Sequence, residues 1–382
     1  MKKELKILLL TVFLEIIGLW IVIPILPFII KDFGFDSRFV GITFAITSVG
    51  MFIGGMIFGR LSDKFGRKRI LSFTVVINLI GYILFAFSSN LFLFMFARFL
   101  NGLAGAGISV AQAYISDVSN KDEKMKNMGL IGAVFGIGMI IGPSIGAFFA
   151  GYSMQFLGII SAVIIFINML LIWFFLPETK NHKVHCEDPE EIIHTFDIKH
   201  NKSQLIIMFI ATLGISISFS LQQTSMPMFF TERLGFAENK MGLIYTYMGF
   251  FSIFYQGFLI KYTSKYLSEK TSIICGIVLM ITSYFLIAIN YAPFAIFLFL
   301  PLMSFGYGSI NPSMNALIAK LAGKETGKAL GINTSYASVG TIIGPLLAGY
   351  LYYIKDSLPY FFAIGIFILV AFIISLKIKE TR

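Results

Sequence analysis

The chain alternates long apolar runs with short polar breaks along almost its whole length. The runs lie near 5–30, 39–61, 70–88, 91–117, 126–151, 154–176, 204–230, 240–260, 271–290, 293–320, 328–353 and 357–377. Each is close to the roughly 20 residues an α-helix needs to cross the hydrocarbon core of a bilayer. No long stretch alternates with period two, which disfavours a β-barrel. A backbone in lipid must satisfy its own hydrogen bonds, so the pattern predicts an all-α membrane protein with twelve transmembrane helices. One polar interruption is much longer than the others. It runs from Pro177 to Ser203 and holds His182, His185, His194 and His200 with the acids Glu187, Asp188, Glu190 and Glu191. It reads as a cytosolic linker, 177–203, between a six-helix half at 1–176 and another at 204–382.

Composition narrows the picture. Hydrophobic residues make up 57% of the 382 and charged residues 13%, whereas a soluble domain carries about 25% charged residues. A soluble globular protein is therefore excluded. With the N-terminus placed in the cytosol, only Lys31, Arg38, Arg233, Lys240 and Lys355 among the 30 Lys and Arg fall outside, and Arg98 lies within a span. That asymmetry predicts a multi-pass protein of the cell membrane with both termini in the cytoplasm. It also assigns the net charge of +10 to topology and contact with anionic membrane lipid. Nucleic acid is not an expected partner, because the basic residues are scattered over separate loops. Cys186 and Cys275 lie in unlike surroundings and suggest no disulfide. The first apolar run is too long for a signal-peptide core and reads as a retained first helix.

The halves echo each other at an offset of about 200 residues. Pro27 to Gly34 resembles Pro227 to Gly235, Gly41 matches Gly242, and Ile141-Gly142-Pro143 with Gly146 resembles Ile343-Gly344-Pro345 with Gly349. Two parallel six-helix halves are a transporter architecture. A receptor or a membrane enzyme has no need of that symmetry.

The most specific motif is Gly59-Arg60-Leu61-Ser62-Asp63-Lys64-Phe65-Gly66-Arg67-Lys68-Arg69, in the tight loop between spans 2 and 3. Gly59 suits close helix approach, and Gly66 suits a turn at positive φ. Asp63 is expected to face a helix N-terminus. Arg67 is expected to pair with a carboxylate at the end of another span, with Asp117 well placed. Contacts that form in one conformation and break in another would bias an exchange between them. A merely basic, topogenic loop is the plainer alternative. In span 5, Gly132, Gly136, Gly138, Gly142 and Gly146 are spaced mostly by four, which lets two helices meet backbone to backbone. Pro143 removes a helix hydrogen bond and permits a bend.

Two charges lie within spans. Glu15 is the one acid well inside a span, so it must be paired, protonated or in contact with water. Burial favours the neutral form of a carboxyl, which makes Glu15 a candidate proton carrier, with a snorkelling surface acid as the alternative. Arg98 is the one base, and it must find carbonyls, water or a carboxylate, with a purely structural role bonding neighbouring helices as the alternative to coupling.

These segments carry a resemblance. The 59–69 loop resembles the signature loop of the major facilitator superfamily. Arg98-Phe-Leu-Asn-Gly102-Leu-Ala-Gly105-Ala-Gly107 resembles its fourth-helix signature. Gly138-Met-Ile-Ile-Gly142-Pro143-Ser-Ile-Gly146 resembles the antiporter motif of the twelve-helix drug:proton antiporter branch. Glu15-Ile-Ile-Gly18 leading into Pro24-Ile-Leu-Pro27 resembles that branch's first helix. The resemblance covers nearly the whole chain and points towards bacterial tetracycline and multidrug efflux proteins. It implies a gating role for Gly59, Asp63, Gly66, Arg67 and Asp117, a coupling role for Arg98 beside Glu15, and a leak-suppressing fifth helix. The chain departs from the tetracycline exporters, which carry further acids in helices 3 and 9. It departs also from multidrug relatives with acids in spans 7 and 10, where it has Gln222-Gln223 and Asn311.

Candidate substrate-binding residues are the polar side chains within spans: Gln112, Gln222, Gln223, Asn311, Asn315, Asn333 and Tyr336. Each is otherwise a helix-to-helix hydrogen bond. The 42 Phe and 17 Met offer an adaptable apolar surface. His182, His185 and Cys186 lack a closed four-ligand pattern, so no metal is expected. No phosphate-binding glycine loop is present, so the energy source expected is a proton gradient, with no cofactor. The function expected is proton-coupled efflux of hydrophobic or cationic small molecules, and nothing demands more than a monomer. The alternative is a facilitator or symporter for a metabolite such as a sugar, an organic acid or a lipid precursor, because one fold hosts both.

Overall fold

The computed structural model describes residues 3–119, 127, 130, 131, 134, 137, 138, 141–146, 148, 149, 153–178, 202–237 and 240–378. Eleven helices among these are long and apolar enough to cross a membrane. They are α1 (Glu4–Asp32), α2 (Ser37–Phe65), α3 (Arg67–Ala86), α4 (Leu91–Val118), α5 (Met154–Phe175), α6 (Lys202–Arg233), α7 (Lys240–Thr263), α8 (Glu269–Ile289), α9 (Pro293–Ala322), α10 (Thr326–Ile354) and α11 (Leu358–Lys377). Their bounds fall within a few residues of the apolar runs. The predicted fifth span, 126–151, lies largely outside the described residues; those described there are helical except Phe149, which is in a turn. The histidines of the linker and Cys186 also lie outside the described residues.

The helix ends follow local chemistry. Asp36 caps α2 by accepting from the Arg38 N–H at 2.9 Å, Asn90 caps α4 through the Leu93 N–H at 2.9 Å, and Ser268 caps α8 through the Thr271 N–H at 3.2 Å. Gly66, at φ +98°, separates α2 from α3 in a conformation that L side chains rarely adopt. Pro24 and Pro27 coincide with a 3₁₀ turn, Ile23–Ile25, that interrupts α1. Within α4 the helix breaks between Gly105 and Gly107.

Contacts divide the chain into two compact units, Met1–Val184 with Phe236–Gly249, and His185–Gly235 with Phe250–Arg382. In the first unit α4 packs on α2 and α3, and α5 packs on α1 and α3. In the second, α6 packs on α10 and α11, and α8 packs on α9 and α11. Large apolar side chains such as Phe92, Phe174, Phe294, Leu298 and Phe372 stand exposed. Such a surface suits hydrocarbon and not water.

Candidate functional site

The first unit has a polar interior, and Glu15 is at its centre. The side chain is 3% exposed, and neither carboxylate oxygen has a hydrogen-bond partner. Its neighbours come from α3 and α4. A Cβ on Gly107 would stand 3.4 Å from Glu15 Oε2 and 2.8 Å from the Thr74 hydroxyl. The glycine at the break in α4 therefore leaves room for the Thr74 hydroxyl and lies against the Glu15 carboxyl. A carboxyl with no donor is costly to ionise, and in that surrounding it can hold a proton.

Arg98 is also buried, at 4% exposed. Its Nη1 donates to Asn101 Oδ1 at 3.3 Å, and Asn101 Nδ2 donates to Asn78 Oδ1 at 2.9 Å and to the Asn78 carbonyl at 3.1 Å. The buried Tyr82 hydroxyl faces the Arg98 guanidinium and lies beside Gly18, one turn along α1 from Glu15. Glu15 is within electrostatic reach of the same hydroxyl. Tyr82 thus adjoins both Glu15 and Arg98, the buried acid and the buried base among the described residues of this unit. Thr74, Asn78 and Tyr82 were not singled out by the sequence, although their spacing of four puts them on one face of α3.

The glycines of the 138–146 segment close on α1. A Cβ on Gly138 would meet the side chain of Ile16, one on Gly142 the Cβ of Trp20 at 2.8 Å, and one on Gly146 the Ile21 carbonyl. Helix α1 therefore has two working faces. One closes against the glycines of this segment, where Pro143 is buried, and the other presents Glu15 to α3 and α4. Ser144 and Thr246 also meet through their hydroxyls.

The signature loop forms a charged clasp. Arg67 Nε donates to Asp117 Oδ2 at 2.9 Å, Nη2 pairs with Asp63 Oδ1 at 2.6 Å, and Nη1 donates to the Ser62 hydroxyl at 2.6 Å. Two expectations need correcting. Asp63, in the last turn of α2, does not cap the N-terminus of α3 with its carboxylate; across the Gly66 turn it pairs with the side chain of Arg67, the first residue of α3. Gly59 has no neighbour within 4 Å of where a Cβ would lie, and the close approach of α2 to α4 is made instead by Gly50 and Gly54. The anion at the N-terminus of α3 is Glu178, whose Oε1 accepts from the Lys68 N–H at 3.0 Å and Oε2 from the Arg69 N–H at 3.3 Å.

The remaining polar candidates are dispersed. Gln112, on α4, is exposed. Gln222 is buried and donates to Met226 Sδ, while Gln223 is half-buried. Asn315 is exposed and accepts from Asn333 at 3.4 Å, and Asn333 accepts from the Thr212 hydroxyl at 2.6 Å. Asn311 is exposed, and Tyr336 stacks on Phe209 with ring centroids 5.6 Å apart.

Comparison with known proteins adds a lineage to this geometry. A family model described as Major Facilitator Superfamily matches residues 8–266 and 208–382. Quinolone resistance protein NorA of Staphylococcus aureus (strain MSSA476) is 27% identical over 371 residues, covering 96% of this chain and 94% of that protein. Multidrug resistance protein 2 of Bacillus subtilis (strain 168) is 25% identical over 382 residues, covering 98% and 95%. Among solved structures, the nucleoside transporter NupG matches with a TM-score of 0.79 at 16% identity, covering 99% of this chain and 100% of that one. The human organic anion transporter MFSD10 (TETRAN) matches with a TM-score of 0.70 at 16% identity, covering 97% and 99%. At such identity the structural likeness speaks for the fold alone.

Proposed function

Because the chain belongs to the Major Facilitator Superfamily, and is a multi-pass membrane transporter of small molecules, not an enzyme, we propose that it exports hydrophobic, drug-like compounds in exchange for protons. The observation that carries this reading is Glu15, a buried carboxyl with no donor, on the helix to which the 138–146 glycines close. Its resemblance to proteins named for quinolone and multidrug resistance supports the cargo class. The exporter works in the cell membrane as a monomer with both termini cytoplasmic, and the proton gradient is its energy source.

In this mechanism Glu15 holds the transported proton while access to it alternates between the two sides of the membrane. When the proton leaves, the carboxylate faces the Tyr82 hydroxyl with the Arg98 guanidinium behind it. A charge that would be prohibitive alone then has a compensating neighbour. The Arg67 clasp ties α2, α3 and α4 together in the state described here, and its release belongs to the conformational exchange.

The test uses purified protein in liposomes with an acidic, dye-loaded interior. Addition of a lipophilic drug should drive proton efflux, and Glu15→Gln should abolish it while leaving the protein folded. Drug-driven proton exchange retained in Glu15→Gln would overturn the role of Glu15. Proton movement or uptake with a metabolite, and none with any drug, would establish the facilitator or symporter function instead. Asp63→Asn should lower turnover more than substrate affinity, and the reverse pattern would remove the clasp from gating.

A further inference from the structure

The second unit carries a stripe of polar and aromatic side chains with no charge to balance. Tyr307, Asn311 and Asn315 recur every four residues along α9, so they share one face. Asn311 and Asn315 are exposed and Tyr307 is half-buried, whereas Gly306, Gly308, Ser309, Ile310 and Met314 are buried. Asn311 is eleven residues from the end of α9 at Ala322, about 16 Å along a helix axis, and so lies deep within the membrane. Tyr307 and Asn333 engage one side of these amides, and an amide turned to hydrocarbon at that depth leaves its remaining donors and acceptors unmet. This face of α9 is therefore turned to water or to a ligand.

An aromatic platform lies beside those amides. Phe219 of α6 stacks on Tyr307 with ring centroids 4.2 Å apart and planes 17° from parallel, and Phe219 is itself half-buried. The Tyr307 hydroxyl is directed at Asn311. Gln223 stands one turn beyond Phe219 on α6, and Asn311 one turn beyond Tyr307 on α9. A flat ring added to a near-parallel pair continues the stack, and the two amides then offer donors and acceptors at its edge.

Electrostatics select among flat molecules. Among the described residues the acids within the second unit's helices are Glu232, Glu269 and Glu325, all at helix ends. Glu232 accepts from the Tyr352 hydroxyl at 2.9 Å, and Glu269 pairs with Lys320 at 2.5 Å. The deep acid of the first unit, Glu15, is enclosed in that unit's interior. Among the described residues no acidic side chain is exposed deep within a helix. A cation at this depth would lose its hydration without gaining a counter-ion.

We propose that the Phe219–Tyr307 stack, with Asn311, Asn315 and Gln223, forms a binding site for uncharged planar aromatic molecules and discriminates against cations. This deepens the export reading and depends on it for its purpose. It narrows the cargo expected from the sequence, which included cations.

The site is tested by binding alone, so no gradient is needed and the outcome is independent of whether transport is proton-coupled. Equilibrium dialysis of the purified protein would compare 7-amino-4-methylcoumarin, planar and uncharged, with ethidium, planar and cationic. The coumarin should bind at least about tenfold more tightly than ethidium. Tyr307→Ala should weaken it by about tenfold, the scale of one lost aromatic stack, and Tyr307→Phe should keep the affinity. Asn311→Asp should raise ethidium affinity by about tenfold. A thermal melt of each variant separates lost binding from lost folding. Ethidium binding as tight as the coumarin's in the native chain would overturn the proposal. So would coumarin affinity unchanged in a folded Tyr307→Ala protein.

Discussion

The two units use the same seam and surround it with different chemistry. In the first, Gly138 and Gly142 close on Ile16, Ile17 and Trp20; in the second, Gly340 and Gly344 close on Leu213, Ser216, Ile217 and Ser220. The partners are related by the 200-residue offset of the internal repeat. Position 15 carries the buried glutamate, and its counterpart, Ile215, is a buried aliphatic residue. The seam is thus a packing device that works without an ionisable group beside it. The first unit encloses an acid, a base and a tyrosine in its interior, while the second exposes neutral amides and rings. The proposed proton carrier and the proposed cargo site therefore fall in different units.

Breaking the seams has the largest expected effect, and an unequal one. A Cβ on Gly146 would fall on the Ile21 backbone carbonyl, which cannot turn aside. Gly146→Ala must therefore part the two helices, at a cost above about 3 kcal/mol. Gly344→Ala meets the Ser220 side chain at 2.6 Å and the Ile217 carbonyl at 2.8 Å. Both atoms are fixed to the backbone, so these helices must also part, but by less, and the cost is about 1–3 kcal/mol. Thermal melting in detergent should rank Gly146→Ala well below Gly344→Ala. Equal losses would show that the contact at the Ile21 carbonyl yields as readily as the contacts at Gly344.

Each unit also has an arginine clasp, and the second distinguishes them further. Arg67 is held by Asp63, Asp117 and Ser62. Arg233 is held by Asp356 at 3.1 Å and stands over the rings of Phe229 and Tyr291, 4.9 and 4.2 Å from their centroids. An ammonium can replace the charge of Arg233 but not its planar stacking. Arg233→Lys should cost about 1–2 kcal/mol in melting experiments, less than Arg233→Gln, which leaves Asp356 without its partner. A lysine variant as stable as the native chain would remove the rings from the account.

Much of this fold was legible before the structure. Apolar runs of helix-spanning length stand out because lipid tolerates little charge, and Glu15 and Arg98 stand out for the same reason. Arg67 and Asp117 were readable as opposite charges at the ends of neighbouring spans. What stayed hidden depends on how helices face each other. Thr74, Asn78 and Tyr82 look like ordinary residues of an apolar run until α3 is turned towards Glu15 and Arg98. Glu178 looks like the first acid of a linker, and only folding brings it to the start of α3, a separation of 110 residues. Gly59 shows the opposite error. It belongs to a recognisable motif, yet the contacts a glycine serves were made one and two turns earlier, by Gly54 and Gly50.

The smallest effect contrasts a charged helix cap in the first unit with a neutral one in the second. Asp36 caps α2 and its carboxylate is bonded to Arg38, with the Arg38 guanidinium at 2.6 Å. That hydrogen bond holds the Asp36 carboxyl below the usual range, against slight burial that acts the other way. Because the folded value is depressed, the stabilisation is complete above the unfolded value, near pH 4, and is lost as pH falls through the lower folded value. Ser268 caps α8 through a hydroxyl that does not titrate. Asp36→Ala and Ser268→Ala should each lower stability by about 0.5–1 kcal/mol at neutral pH. On acidification the deficit of Asp36→Ala should close below about pH 4, while that of Ser268→Ala stays constant. Melting curves of both variants against the native chain, taken from pH 7 to pH 3, measure the two deficits. A deficit for Asp36→Ala that persists at the acid end would mean that the cap acts through a neutral hydrogen bond and that the Arg38 pair adds nothing to it.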